Sequence, residues 1–345
     1  MREGEPPATA HDAGHQAPAN DGGGDAGGAR GVGAPAPGEA PNTLSTARYL
    51  AWLYSPVQQQ HMFAILCEIE NEIASSLRPG IDHQVAHARL QWWSEECERC
   101  VQGRPAHPLT RELVKASGAP SRLAGIKGFV DTAVWDLASA TFETRKELTA
   151  YCERWSAAMF ETAAALPAGD NDHATRAADA DAGRPNATAV APGSADAAGV
   201  GAEPSKAASV RALGAAVREL ELLEGLAREA HAGRLRVPLD ELERAGVDIH
   251  SIAKPPWPAA LGTLLSQRHE GLRATIRASL TALGREEQPR VRGLLVWAAL
   301  AWRQSVRAQR ALPNVIQPGR YHALADGWQA WRAARRAAAG KLRLS

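Results

Sequence analysis

Long apolar runs and sustained apolar/polar alternation are both missing from this chain of 345 residues. The longest unbroken apolar run, Leu294 to Trp302, covers nine residues, against the roughly 18 needed to cross a bilayer. The first residues also lack the basic-then-apolar pattern of a secretory leader. A cytoplasmic protein is therefore expected, with the inner face of a membrane as the one surface it could touch. Charge of one sign is missing too. The formal net charge is +1, which gives no bulk attraction to nucleic acid, so no nucleic-acid partner is expected. Cysteine is scarce: Cys67, Cys97, Cys100 and Cys152 are the four, too few for a disulfide framework in a chain this long. Cys97 and Cys100 form a CxxC, but no second CxxC or CxxH completes a four-ligand zinc site. Three residues apart on a helix they share a face, and packing explains them. His83 and His87 have zinc-compatible spacing beside Asp82, yet no third ligand is visible in the sequence.

What is present is helical. Val, Ile and Thr are sparse beside Ala, Leu, Glu and Arg, and apolar residues recur at helical spacing. Residues 1–42 hold one Val and no Leu, Ile, Phe, Trp or Tyr, so they cannot bury enough apolar surface to offset their ordering entropy. Residues 167–206 have the same Ala/Gly/Pro/Asp-rich character. Both stretches are expected to be disordered. They leave two helix-rich blocks, 43–166 and 207–333, as halves of one domain, followed by a basic tail at 334–345. Helices are expected over 44–54, 57–77, 83–101, 109–116, 123–137, 147–166 and, unbroken, 209–232. Further ones fall near 239–246, 259–283 and 289–311.

The segment HQVAHARLQWWSEECERCVQGRPAHPL is the most distinctive. Val85, Ala88, Leu90, Trp92, Trp93, Cys97, Cys100 and Val101 form an apolar side, with Arg89, Glu95, Glu96, Glu98 and Arg99 largely outside it. Gly103 and Pro105 end the helix. At the other end of the chain, Asp326 to Ser345 carries five Lys/Arg against one Asp together with Trp328 and Trp331, a composition that suits peripheral contact with a membrane surface.

The runs ARLQWWSEE with GRPAHPL, WDLASATFETRKELTAYCERWSAA and GRLRVPLDELERAGVD together resemble the squalene/phytoene synthase family over residues 44–320. The resemblance implies an all-α, isoprenoid-synthase-type helical bundle around a central apolar cavity. It also implies head-to-head joining of two prenyl diphosphates with Mg²⁺. Mg²⁺ takes oxygen ligands, and a departing diphosphate needs its charge neutralised; the family accordingly sets two acidic motifs face to face.

Both motifs are eroded here. The first falls on Glu70, Asn71 and Ala74, where only Glu70 keeps an acid in place, because Glu68 and Glu72 lie roughly 200° away around the helix. The second falls on Gly225, Arg228 and Glu229, where only Glu229 is acidic. Neighbouring family positions read Arg218, Glu221 and Glu224, and an Arg-Tyr pair reads Thr141-Phe142. Glu70 and Glu229 are thus the retained catalytic and metal-ligand candidates, and two carboxylates cannot assemble a three-ion clamp. The reading is a noncatalytic or catalytically altered relative that binds a prenyl diphosphate, a prenyl lipid or a protein partner; the resemblance includes noncatalytic family members that serve as assembly factors. The alternative is an active Mg²⁺-dependent prenyl transferase using Glu70, Glu229 and Glu72 or Glu224. A third reading is a helical interaction module whose cavity is filled by side chains.

Overall fold

The computed structural model describes residues 44–138, 141–165, 205–314 and 323–345, and these contain helices and no strand. Residues 1–42 and most of 167–206 lie outside the described residues. Ser205 and Lys206 do not: the Ser205 hydroxyl caps the next helix by accepting from Ala208 N. The helices are α1 Thr46–Tyr54, α2 Val57–Ala74, α3 His83–Val101, α4 Pro108–Ser117, α5 Gly128–Leu137, α6 Arg145–Ser156 and the short α7 Thr162–Ala164. After the insertion come α8 Lys206–Glu224, α9 Leu226–His231, α10 Leu239–Arg244, α11 Ala259–Ala282, α12 Gly284–Glu287, α13 Arg292–Ala311 and α14 Ala323–Ala338.

One apolar core draws on both blocks, from Ala47 through Ala163 and from Val210 through Leu344. Its middle is α2, where Phe63, Ala64, Ile65, Leu66, Cys67 and Ile69 are all buried, and α13, buried continuously from Gly293 to Leu300. A helix apolar around most of its circumference must be surrounded, and these two are. α8 packs against α6, α11 and α13, while α13 also carries α1 and α14. At the centre Trp297 meets Phe160 with ring centroids 5.2 Å apart, Trp155 at 5.8 Å and Phe63 at 6.0 Å. Phe160 reaches this point from a π-helical turn, Ala157–Glu161, inserted between α6 and α7.

Three helical expectations are redrawn. The 209–232 helix is interrupted at Gly225, which separates α8 from α9. The 123–137 helix begins as a 3-10 turn, Pro120–Lys127. On α3, Val85, Trp92 and Val101 are exposed although expected on the apolar side, whereas Glu96 is fully buried. The reason lies in the turn that follows. Glu96 Oε1 accepts from Ala106 N and His107 N, each at 2.8 Å, and from the Thr110 hydroxyl, while Arg99 Nε donates to Oε2 at 2.9 Å. Burial alone would raise the Glu96 pKa, but these donors hold it below the ordinary value. The carboxylate therefore pins the GRPAHPL corner to α3 and takes the inward position that periodicity gave to Trp92.

Candidate functional site

Both retained acids face inward, and both are already occupied. Glu70, on α2 between Ile69 and Ile73, is 14% exposed, as is Arg48 on α1. Arg48 Nη1 lies 2.5 Å from Glu70 Oε2 and Nη2 lies 3.3 Å from Oε1. The Trp155 indole donates to the same Oε1 at 2.7 Å. Arg48 also lies 3.7 Å from Glu221, whose Oε1 accepts from the Trp297 indole at 3.0 Å. One turn earlier on α8, Arg218 lies 3.4 Å from Glu221 and donates to the Tyr151 hydroxyl at 3.4 Å. That hydroxyl donates to Asp136 at 3.0 Å. Arg236 then bridges Asp136, at 2.7 Å, and Glu229, at 3.3 Å, and Arg234 donates to Glu229 at 2.9 Å.

Glu70 and Glu229 thus stand near opposite ends of one continuous chain of alternating charge: Glu70, Arg48, Glu221, Arg218, Tyr151, Asp136, Arg236, Glu229 and Arg234. The indoles complete it. Arg48 lies 5.0 Å from the Trp297 ring centroid and 5.7 Å from that of Trp155, and Arg218 lies 5.0 Å from Trp155, distances at which a guanidinium gains from the ring quadrupole. Burial by itself would raise the Glu70 pKa; the charges of Arg48 and Arg218 and the bonds from Arg48 and Trp155 outweigh it and hold the carboxyl below its ordinary value. Burial likewise opposes the charged form of Glu229, and Arg234 and Arg236 overcome it. Arg218 is raised well above the ordinary guanidinium value despite its burial, through Tyr151, Glu221 and Glu70. Burial pushes Tyr151 up to about 12.

This donor set does not fit Mg²⁺. A magnesium site needs near-octahedral oxygens with lone pairs to spare, whereas both oxygens of Glu70 already accept from cationic or indole donors, and Glu229 is held by two arginines. Within this chain four carboxylates meet four guanidiniums; Glu224, which accepts from Gln304 Nε2 at 3.4 Å, lines the small cavity beside it, and Arg228 also lies 3.7 Å from Glu229. The degenerate positions agree. Ala74 is exposed and brings no oxygen. Asn71 lies beside Glu70 on the same helix. A Cβ at Gly225 would meet the Arg228 guanidinium at 3.0 Å, so a cation stands over the place of the lost acid. Phe142, where the family has Tyr, is fully buried and stacks on Trp135 with centroids 5.4 Å apart. No group of three or more His, Cys, Asp or Glu residues suited to a metal occurs among the described residues. Asp82, beside His83 and His87, is spent as the N-cap of α3.

Beside this network, a cavity lined by Leu220, Glu221, Trp297, Leu300, Gln304 and Ser305 holds about 30 Å³. A small-molecule pocket is typically of order 300 Å³ or more. Trp155, Trp297 and Phe160 pack against one another next to this small cavity. Cys97 and Cys100, buried on α3, have thiols pushed up to about 12, chiefly by burial, which is the environment of packed rather than reactive cysteine.

The sequence singled out Glu70, Glu229, Arg218 and Glu221, and the structure places all four on this chain of contacts. Arg48, Asp136, Tyr151, Trp155 and Trp297 were missed as its members. Arg48 is separated from Glu70 by 22 positions and an intervening turn, and periodicity carries no information on such a pairing. Arg236 was visible within GRLRVP but only as an anchor for register.

An all-α fold with this helix order belongs to the isoprenoid-synthase class. A crystal structure of a dehydrosqualene synthase in complex with ligand superposes with a TM-score of 0.62 at 14% identity, covering 85% of this chain and 90% of that one. Squalene synthase HpnC from Alicyclobacillus acidocaldarius gives 0.55 at 15% identity, covering 77% and 89%. The squalene/phytoene synthase family model matches residues 43–325, and the chain belongs to that family. No curated protein matches it by sequence.

Proposed function

We propose that this protein is a noncatalytic squalene/phytoene synthase relative, in which the cleft that serves metal and diphosphate in an active enzyme has become a self-neutralised structural core. The observation that carries this reading is Arg48, placed between Glu70 and Glu221 at 2.5 Å and 3.7 Å. A diphosphate-binding cleft needs its acids open to metal and its cations open to phosphate; here each neutralises the other. On this reading the interior is taken up by side chains and recognition falls to the surface, where a protein partner or a lipid is met without turnover.

The test is incubation of the full chain with farnesyl or geranylgeranyl diphosphate and Mg²⁺, followed by product extraction. No head-to-head product is expected. Product formation that Glu70→Ala abolishes would overturn the reading and establish the active-transferase alternative. A fluorescent prenyl analogue separates a filled from an open interior: saturable binding lost on substituting Trp297 would show an open cavity.

A further inference from the structure

Helix α14 presents a face that is uncovered among the described residues and that the cleft does not explain. Its inward side consists of Ala330, Ala333, Ala334 and Ala337, all buried, together with buried Asp326, which lies 3.3 Å from both Arg303 and Arg307 of α13. Small residues let the helix seat closely on α13 and α1, and the ion pairs fix its rotation. At about 100° per residue, the direction opposite that alanine face is occupied by Leu324, Trp328, Trp331 and Arg335. Leu324 is 92% exposed, Trp328 58% and Trp331 37%. The two indoles stack with centroids 4.7 Å apart, and the Arg335 guanidinium lies 5.1 Å from the Trp331 centroid. Exposed paired indoles are costly in water unless a second phase or surface covers them.

The charge around this stripe says what covers it. Arg332 and Arg336 flank it on one side, and neither makes an ion pair among the described residues. The positive field continues past the helix end. There, a groove of about 760 Å³ is lined by Arg277, Arg285, Lys341 and Arg343 together with Leu280 and Leu342. The one acid of the helix, Asp326, is turned inward and paired. Apolar and indole side chains directed away from the body, bordered by arginines without acidic partners, complement a surface that is anionic at its boundary and apolar just beneath.

We propose that α14 docks this protein onto an anionic phospholipid surface. Leu324, Trp328 and Trp331 enter the headgroup boundary, and Arg332, Arg335 and Arg336 meet lipid phosphates. No helix among the described residues is long and apolar enough to cross a membrane, so the association is peripheral and reversible. It is independent of whether the cleft turns over prenyl diphosphates.

Co-sedimentation of the full chain with vesicles tests it, using phosphatidylcholine alone against phosphatidylcholine mixed with phosphatidylglycerol. Each cation near an anionic surface contributes roughly fivefold in partitioning, so the three arginines predict about a hundredfold preference for the mixed vesicles at low salt, falling steeply as salt is added. Trp328→Ala/Trp331→Ala should reduce binding to both vesicle types at least tenfold. Arg332→Gln/Arg335→Gln/Arg336→Gln should abolish only the anionic preference. All five positions face solvent, so an unchanged thermal transition checks that each variant is folded. Equal binding to both vesicle types, or wild-type binding that the tryptophan variant retains, would overturn the proposal. So would a concentration-dependent dimer that the tryptophan variant dissolves, since the stripe would then be an interface between copies of this chain.

Discussion

Removing Arg48 while leaving Glu70 is the sharpest test of what holds the cleft together. Arg48→Met keeps most of the side-chain volume and removes the guanidinium that contacts both Glu70 oxygens. Glu70 would keep the Trp155 bond at 2.7 Å but would be left as a buried carboxylate with half its partners. Breaking a buried pair from one side costs about 3–5 kcal/mol, whereas replacing both partners by neutral groups of similar shape is close to neutral. The double variant Arg48→Met/Glu70→Gln preserves an acceptor for Trp155 and should therefore be more stable than Arg48→Met alone, giving a coupling energy of about 2 kcal/mol or more in a double-mutant cycle. Urea unfolding followed by circular dichroism supplies the four stabilities. The pH dependence supplies an independent check. The folded Glu70 pKa lies below its ordinary value of 4.5, so the stability its charge provides is fully present above that value and is lost as pH falls through the folded pKa. In Arg48→Met the lone carboxylate is instead relieved by protonation. The gap between wild type and variant should thus be widest near neutrality and narrow under acid. A cost for Arg48→Met below about 1 kcal/mol, additive with Glu70→Gln, would refute the claim that this pair organises the cleft.

Three further perturbations test the scaffold. Glu96→Ala removes the acceptor for Ala106 N, His107 N and Thr110, and charged hydrogen bonds of this kind are worth about 1.5–3 kcal/mol each before relaxation. The expected result is a loss of several kcal/mol, with faster hydrogen exchange at Ala106 and His107. Among helical glycines, Gly214→Ala should destabilise by about 1–3 kcal/mol through overpacking, since its Cβ would meet the Ser156 hydroxyl and sit 2.5 Å from Phe160 Cγ. Gly271→Ala on α11 meets nothing within 4 Å and should stabilise by about 0.5–1 kcal/mol from helix propensity alone. Thermal melts of the two variants read the opposite signs directly.

The helices were legible because apolar residues recur at helical spacing, as a stripe on most and around nearly the whole circumference of α2 and α13, and that spacing is a local property. Leu294, Leu295, Trp297, Ala298 and Trp302 were readable as core on α13 for that reason. The absence of acids at Ala74, Gly225 and Arg228 was equally legible once register was set by GRLRVP. What could not be read was where the surviving charges go. Glu96 looks solvated by residue type, and it is buried because the turn at 103–107 delivers two amides and Thr110 follows with a hydroxyl. Trp92 looks buried by residue type, and it stays at 40% exposure because Glu96 and Trp93 take the inward directions. Arg48 carried no sequence signal, since its partner sits on another helix and its role depends on α1 lying across α2.

That hidden partner changes the meaning of the eroded motifs. Loss of acids alone would leave Arg218 and Arg236 as an excess of largely buried cations, with desolvation not offset by any counter-charge. The cleft does not show that excess. Glu221 stands between Arg48 and Arg218, Asp136 between Tyr151 and Arg236, and Glu229 between Arg234 and Arg236. The carboxylates that remain each meet a guanidinium, and two indoles donate to Glu70 and Glu221. On the proposed reading the cleft is rebuilt as core, with Arg48 and Arg218 supplying the positive charge that bound metal supplies to acids in a metal-dependent site. Restoring acids at Ala74 or Arg228 would therefore not recreate a metal site while those two guanidiniums hold the space between Glu70 and Glu221.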